Sequence, residues 1–274
     1  MISKISIFKI FTVLILTLPV SFLVSGLIFT WIPIDQIWFS YILQFSITLI
    51  FLELGLWVFK EKSILKKVLP KFTLKRYFIG ALVGFVFIIL SQIYSIIFDQ
   101  KLFFIANLGY IVVFGLVFLF QSFVEEIIYR KFLIDEFQVL FNGKNILSVI
   151  VAGFLFALVH LVSNTIPIDI FNLFLFGTFL GFVYIYIESR FPDRAIFWTS
   201  GFHFAWNLSY FLLGIQFINQ STPEQSLAPY QSMHILSNQT SFWANKIPIT
   251  VILSLGIWWV LSRMELFKKI KSEL

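Results

Sequence analysis

Apolar residues fall into long, nearly unbroken runs along this chain, and polar residues are concentrated in the gaps between them. Such runs are too long for buried strands and too uniformly apolar for half-exposed helices, whereas about 20 apolar residues suffice to cross ~30 Å of hydrocarbon. The pattern predicts spans near 9–31, 37–59, 77–98, 104–127, 146–163, 168–188, 195–217 and 247–262. The fold class that follows is all-α: a polytopic membrane helix bundle of about eight transmembrane helices, with residues 1–274 forming a single membrane domain. The first run follows Lys4 and Lys9 and has the outline of a signal peptide. It is longer than an h-region and lacks a convincing small-residue cleavage site, so it reads as a helix. Residues 218–246, rich in Asn, Gln, Ser and Pro, form the one substantial extracytoplasmic loop. Its NQS and NQT triplets match a glycosylation pattern that is common in polar loops and carries little weight.

Composition agrees with the pattern. Apolar residues make up 59% of the 274 and charged residues 12%, against about 25% charged in soluble domains, and the mean hydropathy is +0.93. There is no cysteine, which excludes disulfides, thiolate catalysis and Cys-ligated metals. The net charge of +6 would suit a nucleic-acid partner, but its distribution explains it otherwise. With the amino terminus inside, the alternate loops and the tail place all of the 20 basic residues except Lys101 and Lys246 on the cytoplasmic side. That is the asymmetry membrane insertion demands. It puts both termini in the cytoplasm, supports an even number of spans and argues against nucleic acid. The expected location is a cell membrane, crossed several times, with the lipid bilayer as the constant partner. No internal repeat is visible, which argues against a transporter built of two related halves.

Chemistry is to be sought among polar residues inside the spans, because ionisable groups at membrane depth are costly and mark function. Span 4 ends in Glu125-Glu126-Ile-Ile-Tyr-Arg130, span 5 in Phe156-Ala-Leu-Val-His160, and span 7 carries His203-Phe-Ala-Trp-Asn207, while Glu53 lies in span 2. Consecutive helical residues are ~100° apart, so Glu125 and Glu126 are not expected to point at one centre. Glu126 and Arg130 are i, i+4 neighbours able to pair, which leaves Glu125 to face the bundle interior. His203 and Asn207 are likewise i, i+4. A charge cluster at a helix exit and a histidine in an interhelical hydrogen bond are the bland alternatives. Two adjacent carboxylates in a long apolar helix, and two of three histidines within spans, weaken both. Glu53, close to the interface at Lys60, reads as structural.

A carboxylate and an imidazole can together activate water, and a second imidazole with an amide can stabilise an oxyanion. Two His and one carboxylate are also the usual ligands of a catalytic zinc, although the H-E-x-x-H pattern is absent. Spacing alone leaves both open.

The ordered set E-E-x-x-x-R, F-x-x-x-H and H-x-x-x-N, here Glu125-Glu126…Arg130, Phe156…His160 and His203…Asn207, resembles the CPBP (ABI) family of intramembrane proteases. That family includes type 2 CAAX prenyl endopeptidases and bacteriocin self-immunity proteins. The run FGTFLGFVYIYIESR is similar to the family's Gly-containing helix, and the resemblance covers roughly residues 105–215. It implies that Glu125 and His160 activate the hydrolytic water, that His203 and Asn207 form the oxyanion hole, and that Glu126 and Arg130 hold the site together. It leaves a glutamate mechanism and a zinc mechanism through Glu125, His160 and His203. The metal-free form is preferred, with no cofactor, because Asn is a poor fourth zinc ligand and a natural oxyanion donor. The implied substrate is a peptide or a lipidated or membrane-associated protein. A bias toward Phe, Ile, Lys and Asn points to a bacterial plasma membrane, hence to a peptide precursor rather than a prenylated protein. The competing function is a non-enzymatic scaffold or bacteriocin self-immunity protein of the same family.

One geometric demand follows. If span 4 ended near Glu125 on the cytoplasmic side, His160 would lie about 14 residues into span 5, ~21 Å away in depth. The site closes only if helix 4 continues to about residue 140 and projects into the cytoplasm.

Overall fold

In hydrocarbon only a segment that satisfies its own backbone hydrogen bonds is stable, and among the described residues every long apolar run is helical. The computed structural model describes residues 4–29, 37–98, 108–162, 167–212 and 239–273, and among these there is no strand. Helices α1 (Lys4–Ile15) and α2 (Ser21–Phe29) are joined without a break by a π turn at Leu16–Val20, where Pro19 sits. Then come α3 (Ile37–Val58), the short α4 (Ile64–Val68), α5 (Leu74–Phe98) and α6 (Leu108–Glu126). A π segment (Ile127–Ile134) carries α6 directly into α7 (Asp135–Leu140). Helices α8 (Asn145–Val159), α9 (Pro167–Glu188), α10 (Ala195–Leu212) and α11 (Gln239–Glu273) complete the bundle. Parts of spans 1, 4, 5 and 7, Lys101, His234 and most of the 218–246 loop lie outside the described residues.

Helices occupy all eight predicted segments, and the protein is a multi-pass membrane protein. Six of them among the described residues are long and apolar enough to cross a bilayer. The other two fall short for separate reasons: α8 has only 15 residues, and α10 is diluted by Thr199, Ser200, His203, Asn207 and Ser209.

Helix 4 is long, as the site required. The stretch Ile111–Leu140 is one continuous 30-residue span, ended by a tight turn at Asn142 and Gly143, both at positive φ (54° and 79°). Gly143 adopts this at no steric cost, and its N–H closes on Gln138 O at 2.7 Å. Measured from that turn, Glu125 precedes Leu140 by as many residues as His160 follows Asn145, ~22 Å in each case. By residue count the two positions therefore fall at similar depth.

Charges mark the two ends of the bundle. At one end Lys9 pairs with Glu61 (3.1 Å) and Glu136 (2.7 Å). Lys131 pairs there with Asp135, Glu188 and Asp193 at 3.1, 3.2 and 2.9 Å, and Lys71 pairs with Asp193. At the other end Lys246 pairs with Asp169 at 2.6 Å. The loops around residues 60–73 and 189–194 are thus grouped at one end, with Lys246 at the other.

Candidate active site

Four helices build the site. On α6, Gln121 and Glu125 are one turn apart, and Gln121 Nε2 donates to Glu125 Oε1 at 2.9 Å. Oε2 of the same carboxylate is buried and has no hydrogen bond. Glu126, fully buried, pairs with Arg130 at 2.9 Å. The Arg130 guanidinium, 1% exposed, also donates to Gly177 O of α9 at 3.4 Å and lies 5.1 Å from the centre of the Phe156 ring. Arg130 falls in the widened π segment, a geometry that often marks functional positions.

His203 on α10 joins these groups. Its Nδ1 is 2.9 Å from Glu126 Oε1 and its Nε2 is 3.6 Å from Glu125 Oε2. Since an ionised carboxylate only accepts, Nδ1 carries the proton of the shorter contact. The expectation that adjacent carboxylates cannot serve one centre is thereby corrected. The backbone directions do diverge by ~100°, but an imidazole has nitrogens on two edges, and His203 meets one carboxylate with each.

His160 begins the turn that ends α8, and its Nδ1 lies 2.7 Å from Phe156 O. A carbonyl only accepts, so Nδ1 donates, and a neutral His160 carries its lone pair on Nε2. Its ring is 4.6 Å from that of Phe156, whose centroid is in turn 5.9 Å from His203. One phenyl ring thus contacts both imidazoles, and Phe176 closes another side of His203 at 5.1 Å. Asn207 sits half-buried one turn beyond His203 on α10. Glu53 is elsewhere: its Oε1 accepts the Leu65 N–H at 3.0 Å, which secures the first turn of α4.

Close helix contact, made possible by glycine, sets these positions. A Cβ on Gly201, two residues before His203, would lie 2.0 Å from Tyr77 O, and one on Gly80 would lie 2.0 Å from Trp198 O. Gly84 faces Phe202 O in the same way. On the other flank a Cβ on Gly153 of α8 would meet Thr178 Oγ1 of α9 at 2.5 Å. Helices α5 and α10, and α8 and α9, therefore touch backbone to backbone. The reading from sequence missed this seam, although Gly80-x-x-x-Gly84 is a small-residue spacing that signals it. It also missed Gln121, which only the i, i+4 relation to Glu125 could have drawn out.

Among the described residues no three His, Asp or Glu side chains converge as a metal-holding group. Glu125, His160 and His203 do not stand together as such a group here.

Neither a curated protein nor a solved structure matches the chain. A family model does: residues 107–209, from the start of α6 almost to the end of α10, match the type II CAAX prenyl endopeptidase Rce1-like family, the same CAAX protease group that the three ordered motifs resemble.

Proposed function

We propose that the protein is an intramembrane endopeptidase that hydrolyses a peptide bond in a peptide or a lipidated, membrane-associated substrate by a metal-free mechanism. The observation that carries this is Glu125: one carboxylate oxygen is held by Gln121, and the other is buried, unsatisfied and 3.6 Å from an imidazole. A buried acceptor without a partner costs about 1–3 kcal/mol, and a reacting water or substrate group supplies that partner.

In this mechanism Glu125 and His160 orient a water, and His160 Nε2 takes its proton as the oxygen attacks the peptide carbonyl. The carbonyl oxygen becomes an oxyanion and accepts hydrogen bonds from His203 Nε2–H and the Asn207 side-chain amide. Collapse of the tetrahedral adduct breaks the C–N bond, and the departing amine receives the proton held by His160. The Nδ1 proton of His203 is committed to Glu126, so a donor at Nε2 makes that ring an imidazolium. Its charge and that of Arg130 then balance the two carboxylates, which suits a water-poor interior. Lys131, which pairs with Asp193 in the loop after α9, lies six residues beyond Glu125, ~9 Å along the helix. The site thus belongs to the half of the bundle nearest the basic loops. With those loops in the cytoplasm, substrate and water enter from that face.

The test is proteolysis in reconstituted membranes with a library of prenylated and unprenylated peptides. Cleavage that is lost in both Glu125→Ala and His160→Ala and survives chelation supports the mechanism. Loss on chelation restored by zinc overturns the metal-free form. Absence of cleavage by wild type, with both variants retaining the host phenotype, replaces the enzyme by a non-enzymatic binder.

A further inference from the structure

The segment from Trp57 to Lys75 carries charge that the fold does not use. Lys60, Lys62, Lys66, Lys67 and Lys75 are all exposed. No ion pair to any of the five is seen among the described residues. Of the nearby carboxylates, Glu61 pairs with Lys9 and Glu53 accepts the Leu65 N–H, so the five lysines outnumber the two negative charges beside them. Lys71 is the exception among the lysines of this stretch, pairing with Asp193. Glu53, Trp57, Glu61, Lys62, Ser63, Lys66 and Lys67 line a groove of about 460 Å³ at the C-terminal end of α3.

Apolar side chains stand beside this charge. Trp57 is 74% exposed, and Leu69, Phe72 and Phe78 are more than half exposed. A soluble surface would not present them. Next to the last turn of α3 and the first turns of α5 they suit the headgroup level of a bilayer, where aromatic rings anchor and lysines reach phosphates.

We propose that this groove and its lysines form a docking site for anionic lipid headgroups of the surrounding membrane. Charge complementarity selects the occupant: the uncompensated lysines need phosphate-borne negative charge, and the flanking Trp57, Leu69 and Phe72 need acyl-chain contact, which a headgroup with its tails provides together. The site is separate from the candidate catalytic residues and does not depend on their chemistry.

The experiment measures lipid association with the full chain reconstituted in phosphatidylcholine bilayers, using spin-labelled phosphatidylglycerol against spin-labelled phosphatidylcholine. Wild type is expected to prefer the anionic lipid by at least ~5-fold at low salt, the factor contributed by about one lysine near a charged surface. The preference falls as salt screens it. The triple variant Lys62→Gln/Lys66→Gln/Lys67→Gln is expected to lose most of the preference, while Lys144→Gln, exposed on a different loop, keeps it. A thermal unfolding midpoint unchanged in the triple variant shows that its fold is intact. No anionic preference in wild type, or an equal preference in the triple variant, overturns the proposal. So does capture of a soluble acidic peptide by these lysines in place of lipid.

Discussion

A buried carboxylate with one oxygen tethered and the other unsatisfied depends on its tether. Gln121 is that tether for Glu125. Gln121→Leu is expected to lower kcat by roughly 10- to 100-fold, the range that a misplacement of about 1 Å produces, with little change in KM. Kinetics on a cleaved peptide check it, and an equal fall in folded protein would assign Gln121 a structural role instead. Arg130 is held at 1% exposure between Glu126, Gly177 O and the Phe156 ring. Removing one partner of such a pair leaves a buried charge, so Arg130→Met is expected to cost about 3–5 kcal/mol in unfolding free energy, measured by denaturant titration in detergent. The pairing of Glu126 with Arg130 was legible in the sequence because i, i+4 spacing on a helix is fixed by geometry. The embrace of His203 by both carboxylates was not, since it depends on where a second helix places its ring.

At the scale of elements, sequence showed where helices run but not how closely they approach. The continuation of α6 through a π segment to Leu140 was deducible, because by residue count Glu125 and His160 would otherwise lie at different depths. The α5–α10 seam was not deduced, yet it fixes the depth and rotation of the helix bearing His203. Two glycines separate packing from propensity. Gly201→Ala drives a methyl into Tyr77 O, and overpacking of this kind costs about 1–3 kcal/mol or more. Gly115→Ala on α6 meets nothing within 4 Å and is expected to be neutral or to stabilise by up to ~1 kcal/mol through helix propensity. Thermal unfolding of the two variants side by side measures the contrast, and a comparable loss in both would refute the seam.

For the whole molecule, charge at the two ends gives expectations about sidedness and pH. The chain has no native cysteine, so single cysteines at Lys62 and Lys144 are expected to react with an impermeant reagent from the cytoplasmic side, and one at Lys246 from the opposite side. Burial works against ionisation of Asp193, but hydrogen bonds and charge from Lys71 and Lys131 prevail and hold its carboxyl below the ordinary range. The stabilisation is therefore complete above the ordinary carboxylate range and fades as pH falls through the lowered value of the folded protein. Asp193→Asn should lower the unfolding midpoint at neutral pH and match wild type in acid. A final consequence concerns how the chain enters the membrane during synthesis. Helix α10, carrying His203 and Asn207, is too polar to be counted among the strongly apolar spans, and the helices that shelter it (α5, α6, α8 and α9) are all made before it. Its partition from the translocon is then a matter of joining neighbours already in place. Fused alone to a glycosylation reporter, α10 should insert poorly, and it should insert efficiently once the preceding helices are restored.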